Sequence, residues 1–134
     1  MIKGIGQWPL DGALARKTGE FLKVTETNKL RTIHGRTYPV PVNFFFSTDL
    51  GHMGEIIIPF GGCGVRAMEQ LQIKGDATFF VENGPITFFF PDTQDTYTVE
   101  ENEVMFIPAN TTFQCINYCD KIVKSIFSVG GKDF

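Results

Sequence analysis

Few residues in this 134-residue chain are of the types that carry covalent or metal chemistry. The two histidines, His34 and His52, stand apart in polar, glycine-containing segments. A histidine base must be aimed at a substrate proton and is usually held by a partner. His52 with Asp49 is the one combination that could serve such a role, for example in a metal-free isomerisation. We interpret both histidines as ordinary surface residues and predict no catalytic residue.

The cysteines and acidic residues do not form a recognisable site. Cys63, Cys115 and Cys119 are odd in number, and their spacing matches no zinc ribbon. An odd, small count favours a reducing compartment. Three acids at positions 100, 101 and 103 fall on one predicted turn, where solvation explains them. No phosphate loop, nucleophile elbow or dinucleotide fingerprint is present in the sequence.

The stretch from Asn102 to Asn117 indicates the kind of framework that positions these residues. It reads NEVMFIPANTTFQCIN, an apolar strand, a turn that begins at Pro108, and a second apolar strand. Asn and Thr side chains favour turns because they hydrogen-bond to nearby backbone. The segment therefore predicts a strand, a tight turn and a strand.

Short apolar strands separated by turns recur along the chain, and almost no helical pattern is present. Strand candidates spaced about 8–12 residues apart are typical of a sandwich or small barrel. The Asn83-Gly84 pair is the strongest short hairpin signal. The sequence predicts one short helix at 11–17 and strands at 20–25, 30–33, 44–47, 54–59, 65–73, 78–82, 85–90, 96–99, 103–107, 112–116 and 121–129. The predicted fold is all-β, a double-stranded jelly-roll barrel with extra N-terminal strands.

Charge divides the chain into two parts. Residues 1–43 hold seven Lys/Arg and three acids, whereas residues 44–134 hold five and twelve. We predict an N-terminal basic arm at 1–43 that packs on a barrel at 44–134. The net charge of −3 gives no signal for nucleic-acid binding. No apolar run approaches the roughly 20 residues of a membrane helix, and we find no secretory leader.

The spacing of the 102–117 stretch resembles the second sequence motif of the cupin superfamily. Pro108, Phe113 and Asn117 fall where that motif has proline, a metal-binding histidine and asparagine. The first motif fits from Gly64 to Gly84. Its two histidine places hold Gln70 and Gln72, and its glutamate place holds Ala77. A spacer shorter by one would put Leu71 and Ile73 there instead.

Neither alignment supplies donors for a transition metal, which needs imidazole, thiolate or carboxylate ligands. The resemblance therefore implies a barrel without metal, and we predict no cofactor. Strand alternation turns a set of these residues inward. They either fill the barrel or line a shallow pocket for a peptide or small ligand; the set is Gln70, Gln72, Phe79, Phe113 and Cys115.

Within metal-free cupins, residues 54–129 are similar to the C-terminal dimerisation domain of centromere protein C. The matching places are the aromatic strand from Phe79 to Gly84, the strand from Ile86 to Phe90, and the 105–117 stretch. The chain departs from that family after Pro108, where Asn110 and Thr111 stand in place of Gly-Asn. It also has no counterpart of the family's upstream arginine-rich motif.

That resemblance implies a non-enzymatic homodimer in a kinetochore scaffold in the nucleus. Its partners would be itself and a peptide of the loading factor for the centromeric histone. Four alternating apolar residues could form the dimer face, or equally the sheet core: Phe44, Phe46, Ile56 and Ile58. Two alternatives stay open. One is a metal-free cupin that binds a small ligand or acts as an isomerase; the other is a divergent metal cupin that uses His34 or His52.

Overall fold

The computed structural model describes residues 12–19, 21, 23–27, 29–60 and 66–131. In these residues one short helix precedes eleven strands. Their bounds are α1 (Gly12–Thr18), β1 (Leu30–His34), β2 (Val40–Ser47), β3 (Gly51–Ile58), β4 (Arg66–Ala67), β5 (Leu71–Gln72), β6 (Ala77–Asn83), β7 (Ile86–Phe90), β8 (Asp95–Val99), β9 (Val104–Ile107), β10 (Thr112–Asn117) and β11 (Val123–Gly130).

The strands form two sheets of antiparallel pairs. The larger has six strands in the order β1-β2-β3-β11-β6-β9, and the smaller has the order β4-β10-β7-β8 with β5 also on β10. Two packed sheets with crossovers between them are the jelly-roll arrangement. The predicted all-β jelly roll is confirmed.

Strict alternation places the core between the sheets. In β6 and β10 every second residue is buried, so Phe79 and Val81 share the inner face of one sheet, and Phe113 and Cys115 that of the other. This matches the faces predicted from the sequence, since a strand turns successive side chains to opposite sides. Asn117 continues the inner row of β10. Its Nδ2 donates to the backbone oxygens of Ile58, Pro59 and Lys121.

The hairpin predicted at Asn83-Gly84 is wrong. β6 pairs with β11 and β9 in the larger sheet, whereas β7 pairs with β10 and β8 in the smaller one. The Asn-Gly pair therefore connects strands of two different sheets rather than the two paired strands of a hairpin. Pro85 follows it and has no N–H to offer to a hairpin ladder, which is a reason why the usual two-residue turn does not continue into paired strands.

Two further strand predictions need correction. The predicted strand at 20–25 is not one where the structure describes it, because residues 23–25 are irregular and a turn follows at 26–27. The predicted strand at 65–73 is broken into the two short strands β4 and β5. Between them Met68 turns into the core, and its N–H donates to the Cys115 carbonyl at 3.0 Å.

The N-terminal part contributes the strand β1 to the larger sheet. β1 pairs with β2, and β2 runs across position 43/44, where the arm was predicted to end.

The predicted helix at 11–17 is confirmed as α1. Gly19 closes it in the left-handed region, and its N–H donates to the Ala15 carbonyl. Among the described residues, no helix has the length and apolar character needed to cross a membrane.

Candidate functional site

The space between the two sheets is filled by phenylalanine rings. Phe79 lies at the centre, with ring centroids 5.4 Å from Phe88, 5.5 Å from Phe113 and 6.0 Å from Phe127. These separations are typical of aromatic pairs that pack against each other, and all four rings are fully buried. Phe113, which stands at a metal-histidine place in the sequence motif, is thus part of the packed core.

The five predicted pocket residues do not come together. Phe79, Phe113 and Cys115 are core residues, whereas the side chains of Gln70 and Gln72 are exposed. Gln72 Nε2 donates outward to the Asn110 carbonyl at 2.9 Å. Burial raises the pKa of the Cys115 thiol, so it stays protonated at neutral pH.

The inward places near β5 belong to Leu71 and Ile73 instead. Ile73 is buried, and Leu71 packs against the core. This is the alternative register that the first motif allowed. The prediction that Gln70 and Gln72 face inward is therefore wrong, because the chain changes face at Met68, between β4 and β5.

The predicted dimer face is only partly on the surface. Ile56 and Ile58 are buried within a single chain, so they cannot contact a partner as predicted. Phe44 also turns inward, with its ring 5.7 Å from that of Phe127. Phe46 alone of the four lies on the outer face of the larger sheet, opposite Met53 in the strand register. Three of the four residues belong to the sheet core or pack against it.

A shallow hollow lies beside the β2–β3 turn, and we call it the hairpin hollow. Gly51 and Gly130 are paired across β3 and β11, and two facing residues without side chains leave a depression in the sheet surface. The volume of the hollow is about 440 Å³. Its lining combines apolar and polar groups: Phe46, Thr48, Leu50, Gly51, His52, Met53, Ser128, Val129 and Gly130.

His52 is a buried residue, and the prediction of a surface histidine is wrong for it. Only 6% of His52 is exposed, since it alternates with Gly54 and Ile56 on the core side of β3. Ser47, its cross-strand neighbour, places Oγ 2.5 Å from His52 Nδ1. Extending the alternation of Ile56 and Ile58 back by two steps would have revealed this burial in the sequence.

Asp49 does not serve as the partner of His52. Both of its carboxylate oxygens accept from the Arg16 guanidinium, at 3.0 and 2.8 Å. This pair ties α1 to the β2–β3 turn beside the hollow. His34 lies elsewhere, with Nε2 3.2 Å from the Glu69 carbonyl.

No group of three or more His, Cys, Asp or Glu residues is placed to hold a metal ion in the part of the chain that the structure describes. At the motif's ligand places the structure shows two exposed amides, a buried methyl group at Ala77 and the packed ring of Phe113. Those four side chains do not fit a transition-metal ion, which needs softer or charged donors.

Comparison with solved structures identifies the fold. The polyketide cyclase RemF of Streptomyces resistomycificus is similar with a TM-score of 0.66 at 12% identity, over 85% of this chain and 82% of that one. The EutQ protein of Clostridium difficile has a TM-score of 0.60 at 15% identity, over 84% and 83%. An RmlC-like cupin with a double-stranded β-helix fold from Methanocaldococcus jannaschii has a TM-score of 0.60 at 13% identity, over 84% and 91%.

These likenesses establish the cupin double-stranded β-helix as the fold of this chain. At 12–15% identity they carry the fold alone, and a shared fold hosts many functions. Nothing in them points to a centromere scaffold. No family model and no curated protein matches the chain in sequence.

Proposed function

We propose that this chain is a metal-independent cupin that binds a small ligand in the hairpin hollow. The observation that carries the proposal is the glycine pair, Gly51 opposite Gly130, at a hollow of about 440 Å³ in the outer face of the larger sheet. Ligand sites are concave, mostly apolar and of a few hundred Å³, with a few polar groups that orient the ligand. Because phenylalanine rings fill the space between the sheets, we place the ligand in this outer hollow.

The lining indicates a compact, partly apolar ligand. Phe46, Leu50 and Met53 offer apolar surface, while Ser128 offers a hydroxyl group that can donate and accept. The Thr48 hydroxyl is engaged by the turn, since it donates to the Gly51 carbonyl and accepts from the Leu50 N–H. A ring that carries a few hydroxyl or carbonyl groups matches this combination. We assign binding and no reaction, because the imidazole of His52 lies on the core side of β3 and is held by Ser47.

A blocking substitution at Gly130 tests the site. No heavy atom lies within 4 Å of a Cβ built at Gly130, and the Gly130 backbone is outside the left-handed region. Gly130→Phe should therefore fill the hollow without disturbing the strand. The matched control is Thr96→Phe, which adds the same ring at an exposed position of β8 in the other sheet.

The measurement is a thermal-shift screen with monosaccharides, nucleotide sugars and cyclic carboxylic acids. We expect at least one of these classes to raise the Tm of the wild type and of Thr96→Phe, and to leave that of Gly130→Phe unchanged. Stabilisation that persists in Gly130→Phe would place the ligand elsewhere. An absence of stabilisation in all three classes counts against small-ligand binding.

A second candidate function is self-association, and the exposed apolar row on the larger sheet favours it. Val104 and Phe106 on the edge strand β9 are each 56% exposed, and Phe80 beside them is 37% exposed. The register places Phe80 between Val104 and Ile126 on the outer face. Exposed apolar patches on folded chains mark interaction surfaces, and a second copy related by a twofold axis is the commonest partner.

Sedimentation velocity at micromolar concentration tests this candidate. If the row is a dimer face, the wild type sediments as a dimer and Phe106→Ser as a monomer. Tyr97→Ser is the control, since it removes an equally exposed aromatic ring from the other sheet. A monomeric wild type would exclude self-association at that concentration.

The finer proposal, recruitment of a histone-loading factor at centromeric chromatin in the nucleus, is supported by the sequence resemblance alone. A pull-down from nuclear extract tests it, with wild type and Phe106→Ser as paired baits. Recovery of centromere proteins by both baits would support a partner surface away from β9. Recovery of centromere proteins by neither bait would count against a role at centromeric chromatin.

A further inference from the structure

The outer face of the six-stranded sheet carries an ionic cluster that is hidden from solvent. Glu55 lies on β3 next to the core residue Ile56, so its side chain leaves the sheet on the side away from the core. A carboxylate there would normally face water, yet Glu55 is 1% exposed. Lys29, whose side chain is 4% exposed, covers it.

Three donors from three different segments satisfy the Glu55 carboxylate. Lys29 Nζ lies 2.6 Å from Oε2, Asn43 Nδ2 lies 3.2 Å from Oε2, and Lys124 Nζ lies 3.2 Å from Oε1. Each of the two ammonium groups also contacts a further carboxylate, which is more exposed than Glu55. Glu26 lies 2.7 Å from Lys29, and Glu82 lies 3.3 Å from Lys124. A buried charge that is paired and hydrogen-bonded in this way is stable, whereas an unpaired one is costly.

Lys29 ends a segment that lies against this face of the sheet, of which the structure describes residues 23–27 and 29; we call these residues the strap. A groove of about 340 Å³ lies between the strap and the sheet. The sheet side of this groove combines the apolar Phe45, Phe46, Met53 and Ile126 with the charged Glu55, Glu82 and Lys124. Lys29 Nζ also lies 6.0 Å from the centre of the Phe45 ring, within cation–π range. The charged side chain of Lys29 thus ties the strap to the sheet beside these apolar residues.

The charge states agree with this geometry. Burial alone would lower the pKa of Lys29, but hydrogen bonds to Glu26 and Glu55 outweigh it and the pKa is raised. Burial would likewise raise the pKa of Glu55, but hydrogen bonds from Lys29, Asn43 and Lys124 lower it. The contact between strap and sheet is therefore a true ion pair at neutral pH.

We propose that the strap, residues 23–27 and 29, opens and closes the groove over β2, β3 and β11, with the Lys29–Glu55 ion pair as its latch. Phe46 and Met53 line both this groove and the hairpin hollow, so an open strap joins the two into one continuous apolar surface. The inference concerns the strap itself, and its test needs no ligand for the hollow.

Amide hydrogen exchange followed by mass spectrometry tests the latch. In Lys29→Met and Glu55→Gln we expect the amides of the strap to exchange at least tenfold faster than in the wild type, while those of β6 and β10 are unchanged. Fluorescence of the apolar dye anilinonaphthalene sulfonate should rise at least threefold as the groove floor is exposed. Lys121→Met is the matched control, because it breaks the exposed pair with Glu101 by the same chemical change and should alter neither readout.

Three outcomes would overturn the proposal. The first is unchanged strap exchange in both latch variants. The second is an equal acceleration throughout the barrel, which would show that the strap has no motion of its own. The third is faster strap exchange without a rise in dye fluorescence, which would show that opening does not uncover the groove. If Lys29→Met fails to fold, Glu55→Gln carries the test, because its amide keeps the size and a hydrogen-bond acceptor.

Discussion

The space between the sheets and the outer face under the strap both contain fully buried side chains, but they are filled by opposite chemistry. Between the sheets, Phe79, Phe88 and Phe113 pack ring against ring. Under the strap, Glu55 and Lys29 are almost as deeply buried and carry full charges. The first arrangement removes apolar area from water, which stabilises the fold directly. The second offsets the cost of desolvating two ions with their attraction.

The comparison teaches that burial in this molecule serves two purposes. Aromatic packing supplies stability and needs no particular partner, since apolar contact is not directional. We expect the ionic cluster to contribute little net stability relative to apolar residues of the same size, but it ties the strap to the sheet. After a destabilising substitution, a second, apolar substitution at the partner residue should therefore restore stability in the ionic cluster but not among the aromatic rings.

The largest effect is expected from Phe113→Ala. Removal of a fully buried ring from the centre of the aromatic cluster should lower the free energy of unfolding by about 3–5 kcal/mol, as measured by urea denaturation. Phe106→Ala is the control, because its ring is more than half exposed and its loss should cost under about 1 kcal/mol. Similar losses for the two variants would contradict the assignment of Phe113 to the core.

A smaller loss, about 3 kcal/mol, is expected from Glu55→Ala, which leaves the buried Lys29 with only Glu26. The informative variant is the double substitution Lys29→Met with Glu55→Leu. Because apolar pairs can replace buried ion pairs without loss, this variant should recover most of the stability. If it is no more stable than Glu55→Ala alone, the ion pair is a net stabiliser, and the contrast with the aromatic cluster disappears.

The smallest effect is in the pH dependence of stability. The pKa of Glu55 is lowered from its ordinary 4.5, so its contribution is present above about pH 4.5 and is lost as pH falls through the folded value. The pKa of Lys29 and that of Lys124 are raised above 10.5. Their contribution is present below that pH and is lost as pH rises further.

Urea denaturation over a range of pH should therefore show a plateau from about pH 5 to pH 10 that ends on both sides. Glu26 faces Lys29, whose hydrogen bond lowers the pKa of the Glu26 carboxyl, so Glu26 adds to the loss on the acid side; Glu82 faces Lys124. The difference between wild type and the Lys29→Met, Glu55→Leu double variant isolates the cluster. Identical pH profiles for the two proteins would mean that the ion pair is not formed in solution.

The same contrast explains what the sequence could and could not predict. The inner faces of β6 and β10 follow from strict alternation, which is local information, so Phe79 and Phe113 were assigned correctly to the inside. The burial of Glu55 is not local. It depends on Lys29, 26 residues earlier in the chain, and no periodicity links the two. The ionic cluster was missed for that reason.

The candidate site was predictable only in part. Gly51 and Gly130 are visible in the sequence, but that they face each other depends on the pairing of β3 with β11, which the sequence did not reveal. Gln70 and Gln72 were assigned to the wrong face because the strand at 65–73 was taken as continuous. The Asn83-Gly84 signal failed because a turn motif reports local geometry and not which sheet the next strand joins.

Cys115 offers a built-in kinetic reporter. Its thiol is enclosed by the aromatic interior and kept protonated, and an alkylating reagent reacts with thiolate only. In a chain with Cys63 and Cys119 changed to serine, each alkylation event would record a moment at which the two sheets had come apart. The labelling rate would then measure the opening frequency of the native barrel without any denaturant.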